Sequence, residues 1–144
     1  MTVRVNVVLT AVFVVVTALA VTIFDGFWRR SVVVVDLALF AVGVVTFILG
    51  YFAAVARSRS EEISVVGVFL LGGTVADRGV RVRMWTCLTV QVVVGLAGAI
   101  LRSSTDGQSG SVLAFGVLVP MLGLGLNGWW ASRHGAFPPR PEGK

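Results

Sequence analysis

The sequence predicts an all-α fold of four transmembrane helices, paired as two antiparallel hairpins with a short interfacial segment between them. Three observations predict it. The chain is 56% hydrophobic and 13% charged, against about 25% charged in soluble domains. Its mean hydropathy is +0.92, and a chain of 144 residues lacks the interior to hide that much apolar surface from water. Its apolar residues fall into four runs, at about 5–24, 32–56, 84–101 and 112–130, each able to cross a hydrocarbon core as a helix. The chain, 1–144, then reads as one transmembrane domain with a connector over 57–83 and a flexible tail over 131–144.

Val5 to Phe24 is 20 residues, about 30 Å of helix. Thr10, Thr17 and Thr22 interrupt it at little cost, because a hydroxyl can bond a carbonyl one turn back. Arg4, the apolar run and Ala18-Leu19-Ala20 also suit a cleaved signal peptide. The basic region is thin, however, the run is long and another span follows, so a span is the better reading. Asp25-Gly26 marks a turn, and Phe27 and Trp28 suit the headgroup level. So short a connection makes the first two helices a hairpin. Val32 to Ala56 is 25 residues, enough to span with tilt. It carries Asp36 about one turn inside. A carboxylate there reads as a proton or cation relay. The preferred reading is an interfacial group that reaches headgroup water or pairs with Arg29, Arg30 or Arg102. Gly50 and Ala54, four residues apart, offer a surface for close helix approach.

Arg57 to Arg83 interrupts the apolar pattern and holds five of the twelve basic residues. Within it, Ile63 to Ala76 is 14 residues, about 21 Å of helix and short of a crossing. Gly72-Gly73 weakens its end. The preferred reading is a short helix at the cytoplasmic interface. The alternatives are a β-hairpin, suggested by the alternation Val80-Arg81-Val82-Arg83, and a fifth span.

Met84 to Leu101 is the third span, with Trp85 at its entry. Gln91 lies near its middle, where an amide usually bonds another helix and less often a substrate. Gly95 and Ala99 repeat the small-residue spacing. Arg102 to Ser111 is a polar Gly/Ser-rich loop. In the fourth span, Val112 to Trp130, Pro120 removes one donor and crowds the carbonyl of Gly116, predicting a mild kink. Gly123, Gly125 and Gly128 leave one end nearly bare, with Asn127 among them. Close packing capped by an Asn hydrogen bond is preferred there to a broken-helix binding site. Trp129-Trp130 marks the interface, and the Pro-rich tail reads as extended and solvated. Val12–Val16 and Val90–Val94 look alike, but Val-rich spans match one another readily, so a duplication is the weaker reading.

The net charge is +5, from eleven Arg and one Lys against seven carboxylates. With four spans, one side holds Arg4, Arg57, Arg59, Arg78, Arg81, Arg83, Arg133, Arg140 and Lys144; the other holds Arg29, Arg30 and Arg102. Nine against three puts both termini in the cytoplasm. The basic residues flank apolar runs and form no compact soluble module. Anionic headgroups near Arg57, Arg59, Arg78, Arg81 and Arg83 are therefore the expected counterions, and nucleic acid is not. One His, His134 in the tail, and one Cys, Cys87 in an apolar run, give no metal-ligand spacing and no catalytic triad. Gly123-Leu124-Gly125 follows no strand and is no phosphate loop. No cofactor, metal or enzymatic activity is expected.

The run FGVLVPMLGLGLNGWWASRHGAFPPR, Phe115 to Arg140, resembles the C-terminal segment of a family of small four-pass membrane proteins of high-GC bacteria. ARSRSEEISVVGVFLLGG is similar to that family's central segment, which is too short for a span, and TVQVVVGLAGAILR extends the likeness over about the second half of the chain. That family carries no assigned activity. The resemblance implies a four-span topology in a bacterial cytoplasmic membrane and no catalytic residues; SSTDGQSGS lengthens the outer loop. The expected function is a non-enzymatic packing or accessory component, working as a homo-oligomer or with a larger membrane-protein partner. The warrant is the set of small-residue positions Gly50, Ala54, Gly95, Ala99, Gly116, Pro120 and Gly123. The alternative is an oligomeric small transporter or channel subunit using Asp36, Gln91 and Asn127.

Overall fold

The structure is a computed structural model that describes residues 1–140. Residues 141–144, with Lys144 of the charge count, lie outside it. The fold is all-helical with four helices long and apolar enough to cross a membrane. In chain order these are α1 (Thr2–Ile23), α2 (Gly26–Arg57), α4 (Arg78–Leu101) and a composite fourth span, Val112–His134. A short helix, α3 (Val65–Leu70), sits between α2 and α4.

The α1–α2 turn is tighter than the sequence suggests. Phe24 ends α1 in a left-handed conformation (φ 47°), and Asp25 caps α2 by accepting a hydrogen bond from the Trp28 N–H at 2.8 Å. Phe27 and Trp28 therefore sit in the first turn of α2. Arg102, from the end of α4, donates to the Val21 carbonyl at 3.0 and 2.8 Å and lies over the Phe24 ring. Such a cation on the last carbonyls of a helix satisfies orphan acceptors and suits the helix dipole. α2 has 32 residues, about 48 Å of helix, so it is longer than a hydrocarbon core is thick.

α1 and α2 turn an inside-out pattern inward. The buried residues of α1 are Asn6, Thr10, Phe13, Thr17 and Ala20, while the exposed ones are chiefly Val. α2 and the fourth span run parallel and touch backbone to backbone. A Cβ placed on Gly43 would lie 2.5 Å from the Leu122 nitrogen, and one on Gly50 would lie 2.7 Å from the Gly128 carbonyl carbon. Gly125 faces the Gly43 carbonyl and the Thr46 hydroxyl in the same seam. On the other side of the fourth span, Gly95 of α4 meets the Gly116 carbonyl. Phe13, Leu39, Met84, Val119, Leu122 and Leu126 form the main core among these helices.

Four expectations are corrected. The alternation Val80–Arg83 lies in the first two turns of α4 and is not a strand, because Asp77 caps the helix by accepting from Gly79 and Val80 N–H. The third span consequently begins at Arg78, six residues before the apolar run. The fourth span is broken and not mildly kinked: Val112–Leu118 is a 3-10 helix, and α5 (Pro120–His134) restarts at the proline. The tail is not free over its described residues. Residues 131–134 belong to α5, and beyond it the Ala136 N–H donates to the Val75 carbonyl at 3.0 Å, Glu62 N–H to the Pro138 carbonyl at 2.9 Å and Arg140 N–H to the Ser60 carbonyl at 2.9 Å.

The connector does not cross. Ser64 caps α3 through the Gly67 N–H, and left-handed Leu71 (φ 52°) ends it after six residues. One face turns into the protein: Val68, Phe69 and Leu71 are buried while Val65 and Val66 stay exposed, and Phe69 stacks on Phe47 of α2 at 4.1 Å while its ring edges Gly128. The loop between the last two spans carries a two-residue antiparallel ladder, β1 (Ser104–Thr105) with β2 (Gln108–Ser109). Asp106 and Gly107 turn it with positive φ at both positions, as a tight hairpin requires.

Candidate functional site

The broken fourth span organises the intramembrane polar groups. A helix start leaves N–H groups without intrahelical acceptors, and Pro120 places such a start inside the fourth span. The Leu122 N–H bonds the Val119 carbonyl at 2.8 Å, and the Gly123 N–H donates instead to the Gln91 side-chain carbonyl at 3.1 Å. The amide of Gln91 then donates to the Thr10 hydroxyl at 2.7 Å and to the Asn6 side-chain oxygen at 3.2 Å. Asn6 in turn reaches the Met84 sulfur at 3.5 Å. Gln91 is fully buried; it ties α1, α4 and α5 together and uses both faces of its amide to do so.

Asp36 lies where the same span is 3-10 helical. It is fully buried, and neither carboxylate oxygen has a hydrogen-bond partner among the described residues. Its surroundings are backbone and ring: a Cβ on Gly116 would stand 3.5 Å from Asp36 Oδ2, 3.5 Å from the Phe13 ring and 3.3 Å from the Gly95 Cα. Two of the three arginines expected to pair with it are engaged elsewhere, and the third, Arg30, is exposed. Arg29 pairs with Asp106 at 2.9 Å, and Arg102 holds the end of α1. In place of the interfacial, charge-paired reading, Asp36 is buried inside the bundle beside Gly116, with no ion pair among the described residues.

Asn127 is also fully buried, and its amide donates to the Phe69 carbonyl at 3.0 Å, at the end of α3. Its own side-chain oxygen has no partner. Asn127 thus fastens the connector to the fourth span. Asp36, Gln91 and Asn127 all face this span, at Gly116, at Gly123 and from α5 itself, yet no hydrogen bond joins any two of them.

At the end where α2 and α5 finish, Arg57 closes the structure. Its guanidinium donates to the Ser132 carbonyl at 3.0 Å and the Gly135 carbonyl at 3.1 Å, pairs with Glu61 at 2.6 Å and lies over the Phe137 ring. Arg57 is therefore an internal helix cap. Arg81 is partly engaged as well, donating to the Gly73 carbonyl at 2.7 Å. The connector and tail leave a polar cleft between them, lined by Ser58, Glu62, Ser64, Thr74, Pro138 and Arg140 among others.

The small-residue positions mostly face inward. Gly50 meets Gly128, Gly95 meets Gly116, Gly123 meets Gln91 and Leu88, and Ala54 packs beside Val68 and Phe69. Ala99 is the exception: it is half-buried, and Gly98 takes its place against Thr17 and Leu113. Sequence reasoning missed Asn6 as a partner of Gln91 and treated Thr10 as self-satisfied. The signal was present, since Asn6, Thr10 and Thr17 stand four and seven residues apart in a run of valines, on one helical face. Among the described residues no three His, Cys, Asp or Glu side chains gather as a metal site. Comparison of the chain with protein-family models, with curated proteins and with solved structures finds no match.

Proposed function

We propose that this chain is a non-enzymatic, multi-pass protein of a bacterial cytoplasmic membrane, with both termini in the cytoplasm, that serves as an accessory component of a larger membrane assembly. The proposed kinship with small four-pass proteins of high-GC bacteria and the nine-to-three arginine and lysine bias support the setting. One structural observation carries the role. The connector and tail are knitted by Arg57, Phe137 and three backbone hydrogen bonds into a shaped cap with a polar cleft. The glycine faces that first suggested oligomerisation are filled by the chain's own helices, so a partner protein meets the cap. Affinity purification from native membranes tests this. The wild-type chain retains a membrane-protein partner, and Arg59→Glu together with Glu62→Arg, both exposed on the cap, loses it. Purification of the chain alone, or a partner indifferent to the charge reversal, contradicts the proposal.

A second reading is favoured by one specific observation, the unpartnered carboxylate of Asp36 beside a broken helix. Half-helices and unwound backbone at mid-membrane serve ion coupling in transporters. In this reading the chain is a small transporter or channel subunit that acts as an oligomer, with Asp36 as the relay group and Gln91 and Asn127 shaping its surroundings. Proton or cation flux into liposomes that is abolished by Asp36→Asn supports it; absence of flux in the wild type, or flux unaltered by the substitution, ends it.

A further inference from the structure

We propose that the bilayer-facing groove between α1 and α4 binds one anionic phospholipid, with its phosphate on Arg83 and an acyl chain lying along the groove. The inference rests on the reading of these helices as membrane spans. The groove is walled by Val7, Ala11 and Val14 from α1 and by Thr86 and Val90 from α4, with buried Cys87 as its floor. Its volume is about 450 Å³, within the roughly 300–1,000 Å³ of small-ligand sites. From Val7 to Val15 it runs for about 12 Å of helix, a length suited to one extended stretch of acyl chain.

The helix arrangement sets the polarity of this groove. Asn6 lies beside Met84, Thr10 beside Gln91 and Thr17 beside Gly98, so α1 and α4 are parallel and both begin at the same end. Arg83 lines the groove at that end, and Arg4 stands one turn before Val7. Both are exposed. The ion pairs among the described residues are Arg29–Asp106 and Arg57–Glu61, so neither Arg4 nor Arg83 has a carboxylate partner among those residues. Two helix N-termini add positive potential there. An apolar slot that opens at two unpaired guanidinium groups matches an anionic lipid, chain and headgroup together. A second copy of the chain docked in the slot would instead bring further arginines to an end already rich in them.

The test uses the full-length chain in mild detergent, loaded with dioleoyl phosphatidylglycerol or dioleoyl phosphatidylcholine and examined by native mass spectrometry. One phosphatidylglycerol per chain is retained in preference to phosphatidylcholine. Arg83→Ala lowers that retention about fivefold, the effect of about one basic residue at an anionic surface. Arg83 is exposed, so this variant keeps the fold. Ala11→Trp fills the slot and abolishes retention of both lipids, whereas Arg59→Ala, on the same end but off the groove, leaves it unchanged. Equal retention of the two lipids overturns the site, as does indifference to Arg83→Ala or an equal loss with Arg59→Ala. A chain that stays dispersed without detergent overturns the membrane reading and the site with it.

Discussion

Gln91 and Asp36 are both fully buried polar side chains, and they differ in what surrounds them. Gln91 replaces the backbone acceptor that the helix break takes from Gly123, so its loss strands a main-chain donor as well as Asn6 and Thr10. Gln91→Leu is therefore expected to lower stability by about 2 kcal/mol, from three hydrogen bonds at typical intramembrane strength. Thermal unfolding in detergent measures it, and an unchanged midpoint contradicts the network. Asp36 has no partner to lose. Removing an unsatisfied buried polar group relieves a penalty of roughly 1–3 kcal/mol, less a small cavity cost, so Asp36→Ala raises the same midpoint. A midpoint that falls instead contradicts the solitary carboxylate and indicates a group bound to it. Gln91 was legible as a helix–helix bond from residue type and depth alone. The solitude of Asp36 was not, because two of its three expected partners, Arg29 and Arg102, are drawn away by Asp106 and the Val21 carbonyl, contacts that only the folded turns create.

At the scale of elements, the seam between α2 and the fourth span depends on glycine for closeness of approach. At Gly125 a side chain would enter the Gly43 carbonyl and the Thr46 hydroxyl, whereas at Gly26 it would meet nothing. Gly125→Ala is expected to destabilise by about 1–3 kcal/mol through overpacking. Gly26→Ala, in the open first turn of α2, is neutral or stabilises by up to about 1 kcal/mol. A pair of equal midpoints would show that the seam is not close-packed. The four spans were legible because length and hydropathy are local properties. Their ends were not, since helices continue past the apolar runs wherever a cap such as Asp77 allows. Which small residue faces inward was legible only to within one position, as the exchange of Ala99 for Gly98 shows, because a helix apolar on every side carries no marker of its buried face. The break at Pro120 read as a kink because its severity depends on Gln91 satisfying the freed donor, a contact made across helices. The tail read as solvated because its hydrogen-bonding partners, Ser60 and Glu62, lie far upstream in the sequence.

The whole molecule gathers most of its arginines at one end. The starts of α1 and α4, the ends of α2 and α5, the connector and the tail all meet there, while Arg29, Arg30 and Arg102 lie at the other end with the β1–β2 hairpin. Under the proposed topology, four helices able to cross, a connector that docks without crossing and the arginine bias put this end in the cytoplasm. Impermeant thiol labelling of intact cells tests that claim most directly, in a Cys87→Ala background with a single reporter cysteine placed by Ser109→Cys in the hairpin or by Glu62→Cys in the cap, both positions being exposed. The account predicts that the Ser109→Cys chain is labelled in intact cells and the Glu62→Cys chain only after the membrane is opened. Labelling of the Glu62→Cys chain in intact cells would contradict it.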